Sequence, residues 1–184
     1  PATLAMALNW SGVAVTPEQL APQVYAPARK GALQVEMAAA SRRHGRLPYR
    51  IYGLEPLLME LAAGYPVIVL QNLAFASSPA WHYALVVGYD RKTADMIMIS
   101  GSTRRYVVDW TTFINTWKRG GFWGLLVLPP GELPACASEK PYLTAALGLE
   151  QVKNWPAASK AYAAALDRWP DSLGALMGLG NARY

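Results

Sequence analysis

The apolar positions of this chain change period along it. Up to about residue 65 they recur mostly at helical spacing. From Pro66 to Leu128 they gather into short blocks rich in β-branched residues, and beyond residue 139 helical spacing returns in an alanine-rich stretch. "PATLAMALNWSG" predicts a helix with Pro1 at its first position and Gly12 at its end. "TPEQLAPQV" predicts a second, with Thr16 as N-cap and Pro17 at the first helical position. "ALQVEMAAASRRHG" predicts a third, carrying Leu33, Met37 and Ala40 on one face and stopped by Gly45. A strand "PYRIYG" and a helix "LEPLLMELAAGY" follow, then the buried strand "PVIVLQN".

The next block reads as a hairpin: His82 to Tyr89, a turn "DRKTAD", and Met96 to Ser100. "RRYVV" adds a strand, Asp109 caps a short helix "WTTFINTWKRG", and "FWGLLVLPP" closes the sheet. Helices first and an antiparallel sheet after them make an α+β fold, not a parallel doubly wound one. After Pro129 and Pro130, "GELPACASEK" has linker composition. The helical segment beyond it carries a repeat: Ala145-Ala146 is echoed 34 residues later by Leu179-Gly180, with Ala158, Tyr162, Ala165 and Pro170 at the small, aromatic and proline positions between. That is the period and pattern of tetratricopeptide repeats. "LGNARY" reads as the opening of a further unit, so the chain is expected to continue beyond Tyr184.

Composition narrows the function. A chain of 184 residues can bury a full core without staples. Its apolar runs are strand-length, well short of the roughly 20 residues a membrane helix needs. The net charge is +5, with basic residues at Arg29, Lys30, Arg42 to Arg46, Arg104 and Arg105. Arg42, Arg43 and His44 fit the last turn of a helix, where cations complement the dipole. No aromatic interleaving or nucleic-acid motif accompanies the charge, so we expect no nucleic-acid partner. The single cysteine, Cys136, excludes an internal disulfide and a multi-cysteine zinc site; no metal and no cofactor are expected.

The chemistry rests on the two histidines. His44 reads as a surface residue at a helix end. His82 opens a strand some 80 residues after a helix start. A helix N-terminus lowers the pKa of a cysteine placed on it, and a histidine on a facing strand shares the proton. Cys136 lacks such surroundings, since a flexible linker supplies neither dipole nor fixed partner. Asp90 lies about 25 Å along the strand from His82 at ~3.3 Å per residue, and reads as a turn residue. Asp109 reads as a cap. Gln71 and Asn72, leaving the strand before the histidine loop, are candidates to line the cleft or orient His82, and Trp81 to contact substrate.

"PATLAMALNWSGVAVTPEQLA", "RKGALQVEMAAASRRHG", "PVIVLQN" and "WHYALVVGYD", in this order and spacing, resemble the bacteriocin-processing, double-glycine-leader cysteine peptidases. The likeness covers roughly residues 1 to 128. It implies a papain-like cysteine peptidase domain over 1–128, to which composition and the repeat add a linker over 129–139 and a tetratricopeptide segment over 140–184. It matches Pro1 to the proline of the Cys-Gly-Pro motif, so the catalytic cysteine is expected two residues ahead of Pro1. It matches His82 to the catalytic histidine, followed here as in the family by a "VV" strand. The third position, ordinarily an aspartate before a proline, reads Ser100-Gly101 here. A serine accepts the imidazole N–H but cannot balance an imidazolium.

Two readings follow. In one, the protein hydrolyses peptide bonds in a peptide or leader substrate, often after small residues such as Gly-Gly, while the helical segment recruits a protein partner. In the other, the catalytic set has decayed and the domain is a scaffold that binds peptides or proteins without cutting. The resemblance further implies a bacterial protein acting on exported peptides, at the cell envelope or in the periplasm.

Overall fold

The structure is a computed structural model and describes residues 1–26, 31–75, 77–101 and 103–183. Arg29 and Lys30, part of the expected basic set, lie outside the described residues.

Six strands form one antiparallel sheet in the order β3-β8-β4-β5-β6-β7. The strands are β3 (Leu47–Tyr52), β4 (Val67–Asn72), β5 (Trp81–Asp90), β6 (Asp95–Ser100), β7 (Thr103–Asp109) and β8 (Trp123–Leu128). Helices cover both faces. Residue alternation along each strand sorts the apolar side chains between them. Ile68, Leu85, Leu125 and Val127 face α1 (Ala2–Trp10), α2 (Pro17–Val24) and α3 (Gln34–Arg43). Val67, Val69, Ala84, Val86, Leu126 and Leu128 face the other way, into a core shared with Leu57 and Leu61 of α4 (Leu54–Ala62) and Phe113 and Trp117 of α5 (Trp110–Arg119).

The local signals hold where side chains act on their own backbone. Thr16 and Gln19 form a reciprocal capping box at α2. Asp109 accepts from Thr112 N at 2.9 Å and caps α5. Gly45 follows α3 at φ +67°, a backbone state that L side chains rarely adopt. Leu33, expected on one helix face with Met37 and Ala40, is 39% exposed, because α3 starts only at Gln34 and Leu33 is its extended N-cap. A small hairpin, β1 (Tyr25–Ala26) with β2 (Gly31–Ala32), comes between α2 and α3; strands of two residues carry no readable period.

The segment after the sheet departs from the expected flexible linker. Cys136 N donates to Glu60 Oε1 at 2.8 Å, Ser138 N to Tyr49 Oη at 3.3 Å, and Tyr142 Oη to Glu132 O at 3.1 Å. Three helices follow, α6 (Glu139–Gln151), α7 (Trp155–Arg168) and α8 (Leu173–Arg183). Tyr142, Ala145, Ala146, Leu149, Ala158 and Ala161 belong to the same core as Leu47, Tyr49 and Leu57. The helices are therefore docked on the sheet unit through continuous apolar packing, with no free tether between them.

Candidate active site

Strand β5 brings the candidate residues together. His82 lies opposite Gln71, and Trp81 opposite Asn72, across the β4–β5 ladder. His82 is half-buried, and its Nε2 stands 2.8 Å from Ser100 Oγ at the end of β6. The direction of that hydrogen bond follows the imidazole tautomer. With Nε2–H donating to the serine, Nδ1 carries the free lone pair of a base. Burial alone pulls the His82 pKa below its usual value, so the imidazole is neutral at neutral pH.

The start of α1 is fixed to the same strand. Thr3 Oγ1 donates to Tyr83 O at 3.0 Å, one residue along the strand from His82. Three apolar side chains near the helix start, Leu4, Ala5 and Leu8, seat it on the sheet, all at most 2% exposed. The N-terminus of α1, with its free N–H groups and positive dipole end, thus sits by the histidine strand.

Alternation divides the labour along β5. His82 shares a face with Gln71, whereas Trp81 and Tyr83 point to the other face, beside Leu70 of β4. There Trp81, Tyr83, Leu70, Leu33, Ala32 and Pro79 line a groove of about 530 Å³. Trp81 is 56% exposed and Tyr83 is braced edge-on against Trp123 at 5.9 Å. Burial pushes the Tyr83 hydroxyl up to about 12, so it stays a neutral hydrogen-bonding group.

Two candidates serve the architecture. Gln71, 3% exposed, donates its amide to Thr116 Oγ1 of α5 at 2.7 Å, away from the groove. Asn72 organises the loop ahead of His82: its Oδ1 accepts from Ala74 N and Ala80 N, and its Nδ2 donates to Phe75 O. Both residues leave the strand as polar groups, which marks them as site candidates; the Asn72 contacts are local, while the Gln71 partner lies 45 positions away, beyond any local pattern. Leu33 and Tyr83, which do line the groove, carried no chemical signal. Asp90 accepts from Lys92 N and Thr93 N as a turn residue, and His44 ends α3 with its Nε2 3.4 Å from Gln23 Nε2. Among the described residues no cluster of His, Cys, Asp and Glu could hold a metal ion, and no helix is long and apolar enough to cross a membrane.

Cys136 is held in place but is the wrong thiol for catalysis. Burial, and then the side chain of Glu60, push its pKa up to about 12. Alkylation of Cys136 by iodoacetamide near neutral pH is expected to be at least tenfold slower in the folded protein than in the urea-unfolded chain, where the thiol returns to about 8.5. Equal rates, followed by mass spectrometry, would show the thiol to be free.

A family profile, described as the Peptidase_C39 like family, matches residues 1–124. The chain belongs to that family. Among solved structures it is similar to a putative C39-like peptidase from Bacillus anthracis, with a TM-score of 0.57 at 15% identity over 69% of this chain and 86% of the other. It is also similar to the peptidase domain of Streptococcus ComA, a bifunctional ABC transporter of a quorum-sensing pathway, with a TM-score of 0.56 at 17% identity over 69% and 88%. A third neighbour is a double glycine motif protease from an AMS/PCAT transporter, determined with its leader peptide, with a TM-score of 0.52 at 20% identity over 68% and 79%. The search of curated proteins matched none. For this C39-like chain the family match settles the fold of the sheet unit as that of the C39 peptidase domains.

Proposed function

We propose that this C39-like domain cleaves peptide bonds, with His82 as the proton-transfer group and Ser100 as the residue that holds its ring. The observation that carries the reading is the His82–Ser100 pair at 2.8 Å beside the start of α1. By the resemblance of Pro1 to the family's Cys-Gly-Pro motif, the nucleophile of this reading is a cysteine two residues ahead of Pro1, next to that helix start. His82 Nδ1 takes the thiol proton as sulfur attacks the carbonyl carbon. The carbonyl oxygen becomes an oxyanion, held by N–H groups at the start of α1. The imidazolium returns the proton to the leaving amine as the C–N bond breaks, and water then hydrolyses the thioester with His82 again as base. The groove under Trp81 and Tyr83 suits an extended substrate, in keeping with the leader peptide bound by one neighbour. Helices α6 to α8 are read as a tetratricopeptide segment that docks a protein partner.

Ser100 also supports a second reading, in which the domain binds peptides without cutting them. It contributes no charge to offset an imidazolium, whose formation burial of His82 already disfavours. The Ser100→Asp variant separates the two. A carboxylate at this position is expected to raise the His82 pKa by about one unit or more and to increase turnover of a quenched fluorescent peptide about 10-fold or more, by stabilising the imidazolium. NMR titration of the imidazole reads the first effect and the peptide assay the second. Peptide binding without cleavage in both the parent and Ser100→Asp proteins would favour the scaffold.

A further inference from the structure

The last turn of α3 ends in Arg42 and Arg43, and only Arg43 behaves as a solvated helix-end cation, donating to Gln23. Arg42 leans away onto α6. Its guanidinium lies against Gly148, where any Cβ would run into Nε, Cζ and Nη2. The Nε is fully buried and has no acceptor among the described residues. A buried donor left unpaired costs about 1–3 kcal/mol, and more when charged. Burial and then the neighbouring Arg50 lower the Arg42 pKa, two effects that both oppose its positive charge. With its inner side sealed by α6, the guanidinium can meet a counter-charge only on its outer side.

That side opens into a pocket of about 420 Å³ between the edge strand β3 and α6. Arg42, Arg50 and Lys140 all line it, together with Tyr52, Pro48 and Thr144. The lining contains no carboxylate; Glu139, next to Lys140, lines the neighbouring groove between α6 and α8. The Thr144 hydroxyl is committed to Lys140 O at 2.8 Å, which leaves the three cations and Tyr52 as donors. Three cations around one pocket repel one another, and an anion held among them offsets that repulsion. Paired guanidinium forks suit the planar or tetrahedral oxygens of carboxylate and phosphate.

We infer that the Arg42–Arg50–Lys140 pocket is an oxyanion-binding site that takes one carboxylate or phosphate group. It lies at the seam between the sheet unit and the helices, apart from the His82 groove. An anion there ties α3, β3 and α6 together, so occupancy stabilises their docking.

The test is thermal unfolding of the full protein in inorganic phosphate against chloride at matched ionic strength. A parallel titration uses a short peptide with a free C-terminal carboxylate and the same peptide amidated. A saturable rise in Tm is expected with phosphate, with the free-acid peptide, or with both, and none with the amide. Response to phosphate alone assigns the site to phosphate, and response to the acid alone to a chain-terminal carboxylate. Arg50 and Lys140 are exposed, so Arg50→Gln and Lys140→Gln should fold normally in chloride. Each is expected to weaken the response about tenfold, the loss of one charge-assisted hydrogen bond. No saturable response to either anion, or a response unchanged in the Arg50→Gln/Lys140→Gln double variant, would overturn the assignment.

Discussion

Replacing His82 by alanine is expected to reduce peptide cleavage by about 10⁴-fold, near the upper end for loss of a positioned acid–base group. The imidazole is held by Ser100 on the strand to which the start of α1 is hydrogen-bonded. Without it the thiol would lose its proton acceptor and the leaving amine its donor, so both chemical steps would suffer together. Binding should change little, because the groove is lined by Trp81, Tyr83 and their neighbours and His82 is not among its lining residues. The expected pattern is therefore a fall in kcat with KM nearly constant. His44→Ala, at the end of α3, serves as the control and should leave cleavage intact. A quenched fluorescent peptide assayed over enzyme concentrations high enough to see the residual rate checks the result. Retention of more than a tenth of the activity would remove His82 from the mechanism.

The second large effect is structural. Trp117→Ala is expected to destabilise the fold by about 3–5 kcal/mol, the range for truncating a large aromatic side chain in a core. Trp117 is 0% exposed and packs against Phe113 at 5.4 Å and edge-on against Phe122 at 5.2 Å. Its Nε1 donates to Trp123 O at 2.8 Å, joining α5 to the start of β8. The truncation leaves a cavity under the central strands and orphans that carbonyl at once. For a chain of this length the loss corresponds to a fall in Tm on the order of 10 °C. Urea unfolding followed by tryptophan fluorescence gives the free energy. A loss under about 1 kcal/mol would mean that the core relaxes around the gap.

The elements that sequence alone reveals share a property: their signals are local. The alternation and β-branching of β4, β5 and β8, the Thr16 capping box and the Asp109 cap all act within a few residues. His82 and Ser100 are singled out by motif order and spacing that resemble a family, and their side chains lie 2.8 Å apart. What escaped depends on distant partners. "GELPACASEK" reads as loose because Pro, Gly and small residues break regular structure, yet its tether is Glu60, 76 positions away. Glu60 is itself 0% exposed, and nothing in "LEPLLMELAAGY" distinguishes it from a solvated helix acid. Gln71 shows the same dependence: a polar residue at a strand end invites a role in the site, and its amide is bound to Thr116 of α5, 45 positions away.

The antiparallel register also works as a ruler. Arg50 lies opposite Leu125, Leu125 opposite Ile68, and Ile68 opposite Leu85, so one straight line of paired residues runs from the basic pocket to the histidine strand. Three strand spacings make about 14 Å, and the further three residues back to His82 make about 10 Å along β5. The two legs combine to a direct span of about 17 Å, or five extended residues. Leu125, Ile68 and Leu85 are at most 2% exposed along that line, so it runs through the packed core and a peptide anchored at Arg50 could reach His82 only by a longer path around it.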